Sequence, residues 1–126
     1  MPFAISLPGQ TSSATVSNPV SLVDLMPTAL EICGNITPPY AMAGRSLAPL
    51  LVAPSTPWNH PVLITRNQFD YAIRQTRWRY IRYANGDREL YNLASDPQEW
   101  TNLAGDPSLR AVMKRLDALM PPLPAG

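Results

Sequence analysis

The chain has 126 residues, which is enough for one compact domain. Charged residues make up 15% of it, below the roughly 25% of an average globular domain, while hydrophobic residues make up 45%. The net charge of +1 excludes a broad basic surface for nucleic acid, and no apolar run approaches the roughly 18 residues that span a bilayer. We therefore expect neither nucleic acid nor a membrane as a partner, and the low charge favours a surface that lies against another structure.

The start of the chain and its cysteine content bear on its cellular compartment. Met1-Pro2-Phe3 lacks a basic segment, and Pro8-Gly9 interrupts the apolar stretch, so we expect no signal peptide in this chain. Cys33 is the single cysteine, so no internal disulfide can form.

The first half of the chain is predicted to be segmented, because many of its 15 prolines lie before residue 62. Residues 3–7 predict a short buried strand, and residues 10–18 predict a surface loop. A helix is predicted from Asp24, its N-cap, to Gly34, its stop signal. Cys33 closes the apolar stripe of this helix, which favours a buried core thiol over a reactive one.

Residues 35–60 are predicted to be irregular, with one helical turn over 46–51, and the pattern then changes. Four β-branched or aromatic runs predict strands over 62–65, 71–75, 78–83 and 88–93. Asn85-Gly86 is typical of a type I′ hairpin turn between the last two strands. The residues from 62 to 93 therefore predict a four-stranded antiparallel meander.

A final helix is predicted after Asp106, the N-cap, and Pro107, the first helical position. An apolar stripe follows at helical spacing: Leu109, Val112, Met113, Leu116, Leu119 and Met120. Because a small sheet needs a cover for one face, we expect this helix to pack on the meander.

Three blocks in order resemble type I sulfatases. Residues 20–28 (VSLVDLMPT) resemble their VSLVDLxPT helix start, and residues 44–51 (GRSLAPLL) resemble their GxSLxPLL segment. Residues 89–103 (ELYNLASDPQEWTNL) are similar to their ELYDLxxDPxExxNL block, and residues 72–83 look most like the iduronate-2-sulfatase-like branch. The order and spacing of the blocks over about 100 residues make the resemblance specific.

The resemblance implies an α+β fold for this chain. Residues 1–60 would be the end of an alkaline-phosphatase-like α/β domain, with a strand–helix remnant and an irregular connection. Residues 61–126 would be the C-terminal subdomain, a four-stranded antiparallel sheet packed on a C-terminal helix. The reading of residues 62–120 from their own pattern gives the same arrangement.

The resemblance also implies what a whole sulfatase needs. The family hydrolyses sulfate esters with a formylglycine, made within Cys/Ser-x-Pro-x-Arg, and with a calcium ion held by Asp and Asn. Cys33 is followed by Gly34-Asn35-Ile36-Thr37, so it does not fit that motif. No catalytic residue, metal ligand or cofactor site is therefore carried over, and calcium and formylglycine are implied only for the full-length family.

Several single residues have a functional and a structural interpretation. His60, the only histidine, is read as an ordinary loop residue, because one histidine cannot make a metal site. The arginines among the aromatic residues at 78–83 fit a half-buried strand with a solvated side, with a contribution to anion binding as the alternative. These arginines are Arg74, Arg77, Arg79 and Arg82.

The loop between the first two predicted strands is the candidate substrate-binding site. In related sulfatases the corresponding loop reaches toward the substrate pocket, and a plain connection is the alternative interpretation. The candidate residues are Asn67, Gln68, Asp70 and Tyr71. Relatives often carry Asn-His before the Ala that is Ala72 here, so Asp70-Tyr71 departs from that pattern.

The sequence therefore predicts a sulfatase C-terminal region that completes the fold and pocket rim of a larger enzyme and is inactive alone. Its partner would be a sulfatase catalytic domain or a second copy of the chain. The alternative is a stand-alone module that binds a partner or oligomerises on the same scaffold. The resemblance leaves the compartment open, since relatives are commonly exported or lysosomal.

Overall fold

The structure, a computed structural model, describes residues 3–10, 13–34 and 36–122 and has an α+β architecture. A 3-10 turn (Leu22–Asp24) leads into α1 (Leu25–Ile32), and α2 (Ala48–Val52) follows. The strands are β1 (Val62–Thr65), β2 (Tyr71–Arg74), β3 (Trp78–Arg82) and β4 (Arg88–Asn92), and a second 3-10 turn (Pro107–Leu109) opens α3 (Arg110–Asp117). None of the helices in these described ranges has the length and apolarity needed to cross a membrane.

The four strands form one antiparallel sheet whose spatial order, β1-β2-β3-β4, is their order in the chain. Leu63 pairs with Ile73, Ile73 with Tyr80, and Tyr80 with Leu90, so these four side chains lie on one face. This register confirms the predicted meander. It also confirms that Trp78 and Tyr80 share a face that Arg79 does not.

The main core lies between this face and α3. It combines sheet and helix residues that are almost fully buried: Ile73, Trp78, Tyr80, Leu90, Met113, Leu116 and Met120. The predicted apolar stripe supplies the last three, of which Met113 and Leu116 lie on α3 and Met120 just after it. Asp106 caps the preceding turn by accepting a hydrogen bond from the Ser108 N–H at 2.8 Å. The expected helix-covered sheet is therefore confirmed.

One buried arginine joins this core to the end of α3. Arg82 lies on the helix-covered face, where its guanidinium donates to Asp117 Oδ1 at 3.0 Å and to the Pro121 carbonyl. It also stacks over the Tyr71 ring, 5.6 Å from the centroid. The two terminal nitrogens of Arg82 thus join the end of α3 and the following residues to β3, while its Nε is buried without a hydrogen-bond partner among the described residues.

The first two sequence blocks form one structural unit. Asp24 accepts hydrogen bonds from the Ser21 and Arg45 N–H groups, both at 2.8 Å. Thr28 Oγ1 accepts from the Leu47 N–H at 2.9 Å and donates to the Asp24 carbonyl. Asp24 thus stands at the N-cap position of α1 as predicted, but its predicted capping role is wrong, because the 3-10 turn that begins at Leu22 makes its backbone helical and its carboxylate caps no N–H of α1.

Two further predictions for the first half are wrong. Residues 3–7 form no strand, because no neighbouring strand within the described ranges pairs with them. Cys33 is exposed rather than buried, since α1 ends at Ile32 and no described element covers that end. A small second core does form, in which Leu47, Leu50 and Trp58 are buried.

The hairpin between β3 and β4 differs from the predicted type I′ turn. Gly86 has a φ of 93°, but Asn85 is not in the left-handed region. The Gly86 N–H donates to the Tyr83 carbonyl and the Tyr83 N–H to the Asp87 carbonyl, both at 3.0 Å. These bonds describe a longer loop closed by one glycine at positive φ, a common alternative to the two-residue turn.

Candidate functional site

The β1–β2 loop, residues 66–70, lies at the same end of the sheet as the β3–β4 hairpin. Strand pairing explains this position, because Tyr71 at the start of β2 pairs with Arg82 at the end of β3. The loop is closed at its base by the Arg66 N–H, which donates to the Asp70 carbonyl at 3.1 Å. The sheet thus presents two adjacent loops that could contact a ligand together.

Asp70 makes the contact between these two loops. Its Oδ1 accepts from the Ala84 N–H at 2.9 Å, and its Oδ2 accepts from the Asn67 amide at 3.1 Å. The Ala84 hydrogen bond lowers the pKa of Asp70, with smaller contributions from Asn67 and from the positive charge of Arg66. The carboxylate is therefore held in its ionised form.

The four predicted substrate-binding residues have different environments. Asn67 and Gln68 are exposed at the tip of the loop, and Asp70 is half-buried between the two loops. Tyr71 is already part of β2, where its ring packs against the main core and under Arg82. The structure thus brings Asn67 and Asp70 into contact, and places Tyr71 on the helix-covered face.

The face of the sheet opposite α3 carries a network of tyrosines and one carboxylate. Tyr83 and Tyr91 both donate to Glu89, at 3.1 and 2.9 Å. Desolvation, and then the hydrogen bond to Glu89 and its negative charge, raise the pKa of Tyr91 to about 12. These phenols are therefore neutral hydrogen-bond donors at ordinary pH and not proton acceptors.

A second polar network on this face uses two of the candidate arginines. Arg79 binds Glu99 through two contacts of 2.7 and 3.0 Å, and Arg74 lies 3.8 Å from the same carboxylate. Arg77 stacks on Trp78 instead, 5.2 Å from the ring centroid. Together with the buried Arg82, these contacts tie the arginines to side chains of the sheet and its surroundings.

Clustered acidic side chains are the usual protein ligands of a calcium ion. Within the described part of the chain, no three His, Cys, Asp or Glu side chains come together in a group that could hold a metal ion. These described residues therefore offer no acidic cluster for the calcium ion that the resemblance implies for the whole family. His60 packs edge-on against Trp58, with ring centroids 4.6 Å apart, which is a structural contact.

Sequence reasoning missed two residues in this region. Ala84 contributes only its backbone N–H, so no side-chain pattern could reveal its contact with Asp70. Phe69 adopts a φ of 73°, which is rare for a bulky residue and was not signalled by any glycine or asparagine at that position.

Comparisons with known proteins identify the family to which this sequence and fold belong. The family described as N-sulphoglucosamine sulphohydrolase, C-terminal, matches residues 1–123. Arylsulfatase K of Xenopus laevis is 36% identical over 121 residues, a match that covers 83% of this chain and 22% of that protein. The chain thus spans about a fifth of the length of the curated relatives it matches.

Solved structures show the same fold. One, a complex with its substrate D-glucosamine-2-N,6-O-disulfate, superposes with a TM-score of 0.64 and 25% identity over 76% of this chain and 22% of that one. Another, a 2-O GAG sulfatase, gives a TM-score of 0.60 and 33% identity over the same shares of the two chains. The chain therefore belongs to the N-sulphoglucosamine sulphohydrolase C-terminal family and corresponds to the C-terminal part of sulfatase-family proteins.

Proposed function

We propose that this chain serves as the C-terminal segment of a sulfuric ester hydrolase, and that the remainder of the enzyme supplies the formylglycine, the calcium ion and the other catalytic groups. The observation that carries the proposal is the family match over residues 1–123, in a chain without a Cys/Ser-x-Pro-x-Arg motif. Catalysis of sulfate transfer needs an activated nucleophile and positive charge at the sulfate oxygens. The nucleophile would come from the rest of the enzyme, because these 126 residues contain no Cys/Ser-x-Pro-x-Arg motif from which a formylglycine could be made.

The exposed apolar residues on the 3-10 turn and α1 support a role in completing a larger fold. Leu22, Val23 and Met26 are all more than half exposed, while Pro27 and Thr28 on the same helix are buried. A helix that is apolar on both sides is typical of the interior of a larger protein. The partner that fits this surface is the α/β domain of the same enzyme.

The β1–β2 loop supports a contribution to the pocket rim. Asn67 and Gln68 present carboxamides that can hydrogen-bond sugar hydroxyls, and the exposed Arg66 can bind a sulfate or a carboxylate. Relatives are named for N-sulphoglucosamine and for 2-O GAG sulfates. We infer that a sulfated sugar is the substrate class of the assembled enzyme.

A chimera tests this proposal directly. The aligned C-terminal segment of Xenopus laevis arylsulfatase K would be replaced by this chain, and turnover of a fluorogenic aryl sulfate would be measured with calcium present. We expect the chimera to be active and the isolated chain to be inactive. A Met26→Glu chimera should lose soluble, active enzyme, because a charge would be placed on the docking surface, whereas Arg110→Glu on α3 serves as the matched control.

Two outcomes would contradict the proposal. Chelator-sensitive turnover by the isolated chain would show that it holds its own catalytic site. A Met26→Glu chimera as active as the Arg110→Glu control would show that this helix does not dock against the rest of the enzyme.

A further inference from the structure

The β1–β2 loop holds a backbone conformation that its own sequence does not favour. Phe69 has a φ of 73°, in the left-handed region that a bulky side chain rarely adopts. Such a conformation persists only where surrounding contacts determine it. The contacts that surround Phe69 therefore decide the shape of the loop.

Those contacts converge on the next residue. The Asp70 carbonyl accepts from the Arg66 N–H at 3.1 Å, and its two carboxylate oxygens accept from Asn67 and Ala84. Asp70 thus makes hydrogen bonds within its own loop, to Arg66 and Asn67, and one hydrogen bond to the β3–β4 hairpin, to Ala84. The hairpin end of this contact is rigid, because the Tyr83 and Gly86 N–H groups are bonded within the turn.

Charge argues against Asp70 as a contact for a sulfated ligand. Both carboxylate oxygens already have hydrogen-bond donors, and an ionised carboxylate repels a sulfate group. The titratable groups that face it are Arg66 on its own loop and the neutral phenol of Tyr83 on the hairpin, and Arg66 is exposed. The exposed side chains left to meet a ligand are Arg66, at the base of the loop, and Gln68, at its tip.

We propose that Asp70 is a positioning residue, which holds residues 66–70 in one conformation against the β3–β4 hairpin so that Arg66 and Gln68 face the ligand. This inference rests on the proposed role of the loop at the pocket rim. It divides the candidate residues into one group that shapes the loop and another that contacts substrate. It therefore predicts that Asp70 acts through Asn67 and Ala84 and not by touching the substrate.

Nuclear magnetic resonance of the full 126-residue chain tests this role without any enzyme activity. The Ala84 amide proton should titrate with a midpoint below 3.8, the ordinary pKa of aspartate, because it is bonded to the Asp70 carboxylate. Asp70→Asn should abolish that titration. Asn67→Ala should move the midpoint upward, because a hydrogen bond to the ionised form is lost.

Amide hydrogen exchange at neutral pH provides a second measurement. In Asp70→Ala the amides of Arg66 and Ala84, which donate to Asp70, should exchange at least roughly tenfold faster than in the parent chain, while those of β3 stay protected. Asp87→Asn is the matched control, because the Asp87 carboxylate accepts from the Asn85 amide, at 2.7 Å, within the hairpin and makes no contact with the β1–β2 loop among the described hydrogen bonds. This control should leave both the Ala84 titration and the exchange of the loop unchanged.

The inference is overturned if the Ala84 proton is insensitive to pH in the parent chain. It is also overturned if Asp70→Ala exchanges no faster in the loop than the Asp87→Asn control. Both measurements concern the chain alone, so they stand whether or not the arylsulfatase chimera is active, and the two proposals can fail separately.

Discussion

Replacing Gly44 with alanine is expected to break the contact between the 3-10 turn before α1 and residues 44–47 and so to destabilise the fold. A Cβ at position 44 would lie 2.0 Å from the Val23 carbonyl oxygen and 2.9 Å from the Asp24 nitrogen. Both atoms belong to the backbone and cannot rotate away. The segment that begins at Gly44 must therefore move as a whole.

That movement also strains the hydrogen bonds that join the two sequence blocks. The Arg45 and Leu47 N–H groups donate to Asp24 and Thr28, whose side chains are buried. Overpacking costs about 1–3 kcal/mol, and each buried acceptor that loses its donor costs about 1–3 kcal/mol more. Because water can reach part of the opened site, we expect a total near the low end, about 3–5 kcal/mol.

Urea denaturation followed by tryptophan fluorescence measures this change, and hydrogen exchange locates it. Trp58 is buried in the small core beside Leu47 and reports on this region. Residues 44–58 should lose protection in Gly44→Ala, while β2 and β3 keep it. The matched control is Gly105→Ala, where the added Cβ meets nothing within 4 Å and the backbone is not in the left-handed region.

The control should change the free energy of unfolding by less than about 0.5 kcal/mol. Equal stability of Gly44→Ala and Gly105→Ala would refute the reasoning, because it would mean that the close approach of these two segments does not exist. Loss of protection spread evenly over the sheet would refute it as well.

Three further predictions concern the C-terminal half. Leu116→Ala should lower the free energy of unfolding by about 2–5 kcal/mol, because Leu116 is 0% exposed, while Val52→Ala at 87% exposure should have almost no effect in the same urea titration. Tyr91 has a folded-state pKa of about 12 against an ordinary 10.0, so its contribution to stability should be complete below pH 10 and lost as the pH rises to 12. Thermal melts across this range should show a smaller decline for Tyr91→Phe, and an equal decline would contradict the assignment. A double-mutant cycle of Arg79→Met and Glu99→Gln should give a coupling of at most about 1 kcal/mol that weakens with added salt, because the pair is partly exposed. A coupling that salt leaves unchanged would show a more deeply buried pair.

The sheet and α3 were predictable because their signals are local. Each strand of the meander pairs with the next one in the chain, and alternation alone assigns Trp78 and Tyr80 to the core face. The N-cap at Asp106 and the apolar stripe after it needed no distant partner. The family resemblance added a fold that this local pattern already supported.

The wrong predictions share one physical cause, which is dependence on distant residues. Residues 3–7 have the composition of a strand, but pairing needs a neighbouring strand. Asp24 has the chemistry of an N-cap, but the backbone of Arg45, 21 residues later, competes for its carboxylate. The burial of Cys33 likewise depends on what packs over the end of α1, which helical spacing does not specify.

The candidate loop could be located from the sequence, but the roles within it could not be assigned. The four residues named there are equivalent in a linear pattern. The structure separates them, because the register of β2 with β3 brings Asp70 beside Ala84 and turns Tyr71 toward the core. The donor in this contact is the backbone N–H of Ala84, which any residue except proline would supply, so the residue type at that position could not reveal it.

The sequential order of the strands has a consequence for synthesis on the ribosome. Every strand can pair with the one made just before it, so hairpins β1–β2 and β2–β3 can form while the chain is still growing. The apolar face that carries Ile73, Tyr80 and Leu90 is covered only when α3 has left the ribosome, and α3 begins 18 residues after the end of β4. We expect the nascent chain to expose this face to chaperones for that interval, and a stall within it to favour aggregation.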